Sequence, residues 1–308
     1  MPQDLQRLPK LRDSLSFLYI EHAIIEQDNL SIRAIRADGT VPIPIAAMTV
    51  LMLGPGVSIT HAAIKAICDN GCTVVWCGEN ASRFYAVGMG ETRSADNLLH
   101  QATLCMDEKR HMQVVRKMYE RRFPDMDCSD LSLSQIRGME GVRVREAYRL
   151  FSKQYGVPWT KRDYKTSSWE DASPINRALS TANNVLYSIC QGAIVSMGYS
   201  TGLGFIHTGK MLSFVYDIAD LYKAESSIPA AFSVVGNGYS DLDGEVRKEC
   251  RKRIRHQRIM QRIPEDIAWI FQTSQPVEQE NALPVGDLWE MDGKRLTGGI
   301  NRGGDLSP

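Results

Sequence analysis

One short stretch of the sequence brings together side chains that can bind a metal ion. The residues from Gly202 to Lys223 read GLGFIHTGKMLSFVYDIADLYK and place His207 in a glycine-rich segment, before a short apolar helix that carries Asp217 and Asp220. These two carboxylates are three residues apart, so they lie on adjacent parts of one helix face. Carboxylates and an imidazole suit Mg²⁺ or Mn²⁺, which support phosphoryl chemistry. The stretch predicts a metal-dependent enzyme that acts on nucleic acid.

A third metal ligand is predicted on a separate helix. Glu140 falls in the apolar stripe of its own helix. A carboxylate in that position needs a partner, because removing its water is costly. A metal ion bound jointly with His207 and Asp220 would be such a partner. The alternative is a structural salt bridge from Glu140 to Arg137 or Arg143.

The other candidate ligands also have structural alternatives. His207 can be a satisfied structural histidine, and Asp220 can pair with Lys223. Asp217 is equally well explained as a group that orients the ligands or the substrate. The chemistry expected of the metal site is phosphodiester transfer, in which a divalent ion polarises the phosphoryl oxygen and lowers the pKa of a bound water or sugar hydroxyl.

Further side chains are candidates for contacting DNA. Those that could bind phosphates near the metal are Lys210, Arg137 and Arg143. Tyr187 and Tyr216 could position a nucleotide, although tyrosines at helical spacing are more often core residues. Tyr164 and Trp169 lie in a polar loop and suit stacking on an extruded or single-stranded base. Anchoring of that loop is the alternative for the last pair.

Charge is balanced over the whole chain and concentrated locally. The chain has 36 Lys and Arg against 36 Asp and Glu. One predicted helix nevertheless carries a run of basic residues, which are Arg247, Lys248, Arg251, Lys252, Arg253, Arg255, Arg258 and Arg262. Phosphate binding depends on such local concentration rather than on net charge. The run predicts a DNA contact, with an ordinary solvated helix face as the alternative.

The elements that must position these residues change in character near residue 90. Before it, short apolar runs predict strands, including a hairpin with its turn at Asp38-Gly39, and one helix from Thr60 to Asn70. After it the apolar spacing is helical. Helices are predicted over 94–122, from Ser132 to near Gly156, and over 174–197, 212–224, 229–235 and 241–271. The first of these is expected to carry the pair Arg121-Arg122 on its outer side.

This division predicts an α+β fold. We assign residues 1–90 to a small N-terminal β-rich domain and residues 91–274 to a larger all-α catalytic domain. Residues 275–308 are rich in Pro, Gly and polar side chains and are assigned to a flexible C-terminal tail.

Several other classes of protein are disfavoured. The sequence has no P-loop, no dinucleotide fingerprint and no GxSxG nucleophile motif. Seven scattered cysteines without a paired CxxC motif favour reduced thiols. The polar N-terminus and the lack of a run of eighteen apolar residues predict a cytoplasmic protein without a membrane partner.

Longer motifs resemble a known family. RGMEG at 137–141, YGVPW at 155–159 and GFIHTGKMLSFVYDIADLYK at 204–223 resemble the catalytic subunit of the CRISPR adaptation integrase, CRISPR-associated protein one. The likeness extends over nearly the whole chain, including VVWCGE at 74–79, and is closest to the subtype I-E branch.

The resemblance implies an architecture and a set of partners. It implies an N-terminal β-domain that forms a homodimer and contacts DNA, followed by a helical catalytic domain. Two such dimers would flank a dimer of a small ferredoxin-fold second adaptation subunit. The complex would bind a double-stranded prespacer DNA, and each of its 3′-hydroxyl ends would attack a phosphodiester in CRISPR repeat DNA.

The resemblance also implies residue roles. The metal ligands of the family fall on Glu140, His207 and Asp220, with Asp217 as a catalytic accessory. Its phosphate and nucleotide contacts fall on Arg83, Lys210, Tyr187, Tyr216, Lys223 and Arg247. Its pocket for the protospacer-adjacent motif involves Tyr164 and Trp169. Two positions depart from the family pattern, because Tyr19-Ile20 lies one residue out of register with an aromatic that brackets the duplex end, and Ser58 replaces a common basic residue.

The sequence therefore predicts a metal-dependent DNA integrase and endonuclease of CRISPR spacer acquisition, a part of antiviral defence. The first alternative is a divalent-metal nuclease that acts on branched DNA or RNA without strand transfer. The second is a non-catalytic nucleic-acid-binding scaffold in which the carboxylates form salt bridges.

Overall fold

A computed structural model describes residues 17–89, 95–125, 131–162 and 172–272, and the backbone of two short strands near the C-terminus. The chain divides into two compact units, Met1–Ser274 and Gln275–Pro308. None of the helices in the described ranges has both the length and the hydrophobicity that crossing a bilayer requires.

The N-terminal part of the larger unit consists of two four-stranded sheets. Its strands are β1 (Phe17–Ile20), β2 (Ile24–Asp28), β3 (Ser31–Arg36), β4 (Gly39–Ile43), β5 (Val50–Leu53), β6 (Ser58–Ile59), β7 (Thr73–Cys77) and β8 (Phe84–Gly88). The first sheet has the order β1-β5-β7-β8, in which β8 alone is antiparallel to its neighbour. The second has the order β4-β3-β2-β6. The predicted hairpin is confirmed, with Arg36 opposite Gly39.

The sheet that contains β5 separates two hydrophobic cores. Val50 and Met52 point into a core shared with the helices, whereas Leu51 and Leu53 point into a core shared with the second sheet. All four side chains are buried, because successive residues of a strand face opposite sides and both sides are covered here.

The described residues after β8 in the larger unit are mainly helical, which confirms the predicted α+β class. The helices, numbered from the one between β6 and β7, are α1 (His61–Asp69), α2 (Asp96–Met106), α3 (Glu108–Arg122), α4 (Leu133–Tyr155), α5 (Pro174–Ser196), α6 (Ser213–Asp220), α7 (Ser227–Asn237), α8 (Leu242–His256) and α9 (Ile259–Phe271). The smaller unit contains β9 (Leu288–Trp289) paired antiparallel with β10 (Arg295–Leu296).

Two predicted helices are each interrupted. The helix expected over 94–122 breaks at Asp107, whose carboxylate accepts the backbone N–H of Arg110 at 2.8 Å and caps α3. The helix expected over 241–271 breaks before Arg258, which has a left-handed φ of 51°. In both cases the predicted single helix is wrong, because the apolar spacing continues across the break and only the local backbone geometry ends the helix.

The central helix, α5, brings the helical part against the sheet. It is buried along most of its length and packs against α6, α7, α8 and α9. A Cβ atom at Gly192 would lie 3.8 Å from both Val50 and Val75, so the helix backbone rests directly on β5 and β7. The long α4 lies further out, and Ile136 is the one fully buried residue among its described side chains.

Candidate active site

The loop that carries His207 turns tightly before α6. A Cβ atom at Gly204 would collide with the carbonyl oxygen of His207 and would lie 2.6 Å from Cβ of Ser213. Only glycine fits at this close approach. The loop therefore folds back on itself and brings His207 to the side of α6.

Asp217 organises this loop from within α6. Its Oδ2 atom accepts the backbone N–H groups of Phe205 at 2.6 Å and Ile206 at 3.2 Å. Its Oδ1 atom accepts the backbone N–H of His207 at 2.9 Å and the ring Nδ1–H at 2.8 Å. Asp217 is almost fully buried, so these bonds offset the cost of its buried charge.

The bond to Asp217 determines how His207 is presented. It raises the pKa of the imidazole above its usual value, while burial acts in the opposite direction. Because Nδ1 is engaged, the tautomer leaves Nε2 as the nitrogen that can bind an ion or a substrate. The side chain of His207 is 43% exposed, so that nitrogen is accessible. This arrangement matches the interpretation of Asp217 as an orienting group.

Asp220 lies between two cations. Lys223 Nζ is 2.5 Å from Asp220 Oδ1, and Arg122 Nη1 is 3.5 Å from Asp220 Oδ2. Burial opposes ionisation, but the charges of Lys223 and Arg122 outweigh it and lower the pKa of Asp220. Burial likewise disfavours the charged form of Lys223, but the nearby Asp220 carboxylate raises the pKa of that amine. The predicted pairing of Asp220 with Lys223 is present.

Glu140 is held by residues of α3. The hydroxyl of Tyr119 donates to Glu140 Oε2 at 2.9 Å, and Arg122 Nη1 forms an ion pair with Oε1. Arg143, which was a predicted partner, instead lies over the ring of Phe123 at 5.3 Å. Glu140 therefore forms a salt bridge, as the alternative predicted. Its partner is Arg122 and not Arg143. The side chain of the other predicted partner, Arg137, lies outside the described part.

One guanidinium thus connects the two carboxylates. Nη1 of Arg122 contacts both Glu140 and Asp220, and its side chain is only 13% exposed. The prediction that Arg121-Arg122 lies on the outer side of its helix is wrong for Arg122. Spacing along the chain gives no sign of this contact, because it joins residues of three different helices.

The donors do not form a closed metal shell in this arrangement. Among the residues that the structure describes, no group of three or more His, Cys, Asp and Glu side chains is placed to hold one ion. Glu140, His207 and Asp220 as metal ligands therefore remain a prediction.

The donor set still fits a hard divalent cation in its chemistry. Two carboxylates face the same positive charge of Arg122, and an accessible imidazole is oriented by Asp217. In the described part of the chain, the buried Oδ1 atom of Asp220 has no well-aligned hydrogen-bond donor, although Lys223 is close to it. A carboxylate oxygen in this state can accept a further cation.

Aromatic residues border the same cluster. The rings of Tyr187 and Tyr216 are 5.0 Å apart, and the ring of His207 is 5.7 Å from that of Tyr216. Lys223 Nζ lies 5.1 Å from the centre of the Tyr187 ring. Burial raises the pKa of Tyr187, so it remains a neutral hydroxyl at neutral pH. The structure therefore brings these four predicted site residues together.

A second group of basic residues gathers where α8 meets the turn before β8. Arg247 donates to Glu79 at 2.7 Å, and the guanidinium of Arg251 lies 5.0 Å from the centre of the Tyr19 ring. Arg83 is exposed on the same turn with a left-handed φ of 53°. This basic junction combines the three predicted DNA contacts Arg83, Arg247 and Arg251.

The remaining predicted contacts have separate outcomes. Lys210 is exposed on the loop that follows His207. Tyr164 and Trp169 lie outside the described residues. Tyr119 and Arg122 also contact the candidate ligands, although no motif or spacing in the sequence indicated them.

Comparison with known proteins is consistent with these features. Residues 18–129 and 125–249 match the family described as CRISPR associated protein Cas1. The chain is 45% identical over 309 residues to the CRISPR-associated endonuclease Cas1 2 of Thermus thermophilus, across 98% of this chain and 94% of that one. It is 38% identical over 279 residues to the CRISPR-associated endonuclease Cas1 of Escherichia coli, across 89% and 92% of the two chains.

Solved structures share the fold. A crystal structure of a TtCas1–DNA complex superposes with a TM-score of 0.77 at 47% identity, covering 86% of this chain and all of that one. A casposase bound to integration product shares only the fold, with a TM-score of 0.58 at 13% identity. The arrangement of β-sheets followed by a helical part is the one that this chain shares with the TtCas1 structure. This chain belongs to the CRISPR-associated protein Cas1 family.

Proposed function

We propose that this protein joins the 3′-hydroxyl ends of a prespacer DNA to the repeat of a CRISPR array. The observation that carries the proposal is the exposed imidazole of His207, which a buried carboxylate orients, together with the carboxylates of Glu140 and Asp220 that share the charge of Arg122. The names of the relatives, which are CRISPR-associated endonucleases, and the DNA bound to the TtCas1 structure support the same activity.

The proposed reaction is a transesterification. The oxygen of a prespacer 3′-hydroxyl forms a bond to a repeat phosphorus and loses its proton. The bond from that phosphorus to the adjacent sugar oxygen breaks, and this oxygen leaves as a new 3′-hydroxyl after taking up a proton. One phosphodiester replaces another, so no nucleotide cofactor is needed.

The residues of the site have distinct tasks in this proposal. Asp217 holds His207 Nδ1 and keeps Nε2 directed outward. Mg²⁺ or Mn²⁺, when bound by Glu140, His207 and Asp220, would polarise the phosphoryl oxygen and lower the pKa of the attacking hydroxyl. Lys223 lies beside these donors and suits contact with a phosphate.

We also propose the DNA path and the partners. Tyr187 and Tyr216 contact the reacting nucleotide, and the basic junction of Arg83, Arg247 and Arg251 contacts the backbone of the prespacer. The chain acts as a homodimer, with two dimers bound to a dimer of the small ferredoxin-fold second subunit, in an assembly of subtype I-E type. Light scattering on the co-purified proteins measures the stoichiometry, and a mass that corresponds to a lone monomer would contradict it.

The activity is tested with a labelled duplex that has free 3′-hydroxyl ends and a supercoiled plasmid that contains one repeat. With Mg²⁺ or Mn²⁺ and the second subunit, we expect labelled half-site products. The control is the same duplex ended by 2′,3′-dideoxynucleotides. It has no 3′-hydroxyl oxygen to attack the repeat, so it should give no half-site products. Cutting of branched DNA without joined products would instead support the nuclease alternative.

Substitution separates catalysis from binding. His207→Ala and Asp220→Asn should abolish joining while the affinity for the prespacer, measured by fluorescence anisotropy, is retained. A scaffold function predicts the opposite, with full activity of the assembly in both variants.

A further inference from the structure

One face of α2 follows the backbone of the loop that leads to His207. Asn97, Gln101 and Cys105 are spaced four residues apart, so they share that face. Asn97 Nδ2 donates to the carbonyl oxygen of Met197 at 2.7 Å, and Cys105 Sγ is 3.6 Å from the carbonyl oxygen of Gly204. The three side chains therefore contact the loop in the order in which it runs.

Gln101 makes the most extensive of these contacts. Its Nε2 group donates to the carbonyl oxygens of Ser200 at 3.0 Å and Leu203 at 2.9 Å, and its Oε1 accepts the backbone N–H of Ser200 at 2.8 Å. Gln101 is fully buried. Both N–H groups of the Gln101 amide and its oxygen form hydrogen bonds. Removing the amide would therefore take one hydrogen-bond partner from each of three backbone groups of the loop.

His111 of α3 continues this series of contacts to the next residue. Its Nε2 is 2.9 Å from the carbonyl oxygen of Phe205, and its Nδ1 is 3.1 Å from the carbonyl oxygen of Cys105. The backbone N–H of Phe205 donates to Asp217. In the tautomer whose Nε2 carries the proton, His111 thus holds the residue two positions before His207 from one side, and the carboxylate that orients the His207 imidazole holds it from the other.

We propose that Gln101 and His111 are positioning residues for the active-site loop, with the polar face of α2 as the template on which His207 is placed. Neither side chain contacts a proposed ligand atom, and both act through the backbone of residues 200–205. The inference depends on the proposed function only in predicting that Gln101 and His111 affect the rate of joining. Its structural content, a loop that loses local order when the template is removed, can be measured without activity.

The decisive variant is Gln101→Met, which keeps the length of the side chain and removes all three hydrogen bonds. Gln113→Met is the matched control, because it makes the same change in the neighbouring helix, where Oε1 of Gln113 has no hydrogen-bond partner among the described residues. We expect Gln101→Met to lower the rate of joining at saturating DNA by about tenfold or more, since small displacements of reacting groups have effects of that size. The affinity for prespacer DNA should be unchanged, and Gln113→Met should match the wild type.

Amide hydrogen exchange gives the second readout. In Gln101→Met, exchange should become faster over residues 198–207 and remain slow in β5 and α5. A purely structural role for Gln101 would instead speed exchange throughout the unit. His111→Leu should give the same local pattern, centred on residues 205–207, and provides the test if Gln101→Met does not fold.

The outcomes are distinguishable. Wild-type protein that joins no ends counts against the proposed function, and the exchange pattern then still decides whether the template exists. Unchanged exchange over 198–207, a uniform rise across the unit, or a local rise with a wild-type rate in an active assembly would each overturn the inference.

Discussion

At the scale of the residue, the unexpected feature is Arg122. Its guanidinium contacts Glu140 and Asp220 together, in the place where a shared cation would balance two carboxylates. Two carboxylates that face one another without a positive charge repel, which favours binding of any available cation. Arg122 would therefore compete with the proposed divalent ion for the negative charge of the same two carboxylates.

Arg122→Met should tighten the binding of Mn²⁺ by about tenfold or more, because a unit charge at 4 Å contributes about 4 kcal/mol at an effective dielectric constant of 20. Without metal the variant should melt at a lower temperature than the wild type. Titration calorimetry with Mn²⁺ and thermal unfolding with and without the ion measure both effects.

Arg121→Met is the control for that prediction. Arg121 donates to the buried Asp266 at 2.6 Å and contacts neither Glu140 nor Asp220. It should lower the stability and leave the affinity for Mn²⁺ as in the wild type. Equal Mn²⁺ affinity in Arg122→Met and Arg121→Met would show that Arg122 does not compete with the ion.

At the scale of the element, glycines determine how closely helices approach their neighbours. A Cβ atom at Gly192 of α5 would make ordinary contacts with Val50 and Val75 at 3.8 Å. At Gly236 of α7 it would collide with the carbonyl oxygen of Tyr155 at the end of α4 and would lie 3.0 Å from Cβ of the same residue. The two helical glycines therefore differ in what surrounds them.

Gly192→Ala should raise the free energy of unfolding by about 0.5–1 kcal/mol, because alanine loses less backbone entropy in a helix. Gly236→Ala should lower it by about 1–3 kcal/mol, because α7 and α4 must separate to accept the methyl group. Urea denaturation of the two variants provides the comparison. The same sign of change in both would contradict the observed packing.

At the scale of the whole molecule, the sheet containing β5 joins the helical part to the second sheet. Leu51 lies in the core that the second sheet and α1 share, on the side of the first sheet away from α5. Leu51→Ala should nevertheless lower the free energy of unfolding measured by helical circular dichroism, by about 2–5 kcal/mol. An unchanged helical transition, with loss of strand structure alone, would show that the two cores unfold independently.

The distribution of charge is also a property of the whole molecule. The chain has zero net charge, yet Arg83, Arg247 and Arg251 form the basic junction. Each phosphate contact that is removed should reduce the slope of log affinity against log salt concentration by about 0.9, so a variant that lacks two contacts should lose about 1.8. Anisotropy titrations of Arg247→Gln/Arg251→Gln over a range of salt concentrations measure this slope. Lys65→Gln is the control, because this exposed lysine pairs with Asp69 on α1. A slope equal to that of the control would remove the junction from the DNA path.

The sequence by itself determined that a strand-rich part precedes a helical part, and with it the α+β class. It also determined the hairpin at Asp38-Gly39. It also identified His207, Asp217 and Asp220 as one group, because these depend on local spacing and on residue type. Periodicity is a property of neighbouring residues, so it predicts which face of an element is apolar. It could not show the breaks at Asp107 and Arg258.

Only the tertiary structure decided which charges meet. The contacts of Arg122 with Glu140 and Asp220, the bond from Tyr119, and the contacts of Gln101 and His111 each join side chains of one helix to a different helix or loop. Such contacts arise from how helices pack on a shared core, and packing depends on the shapes of all the elements together.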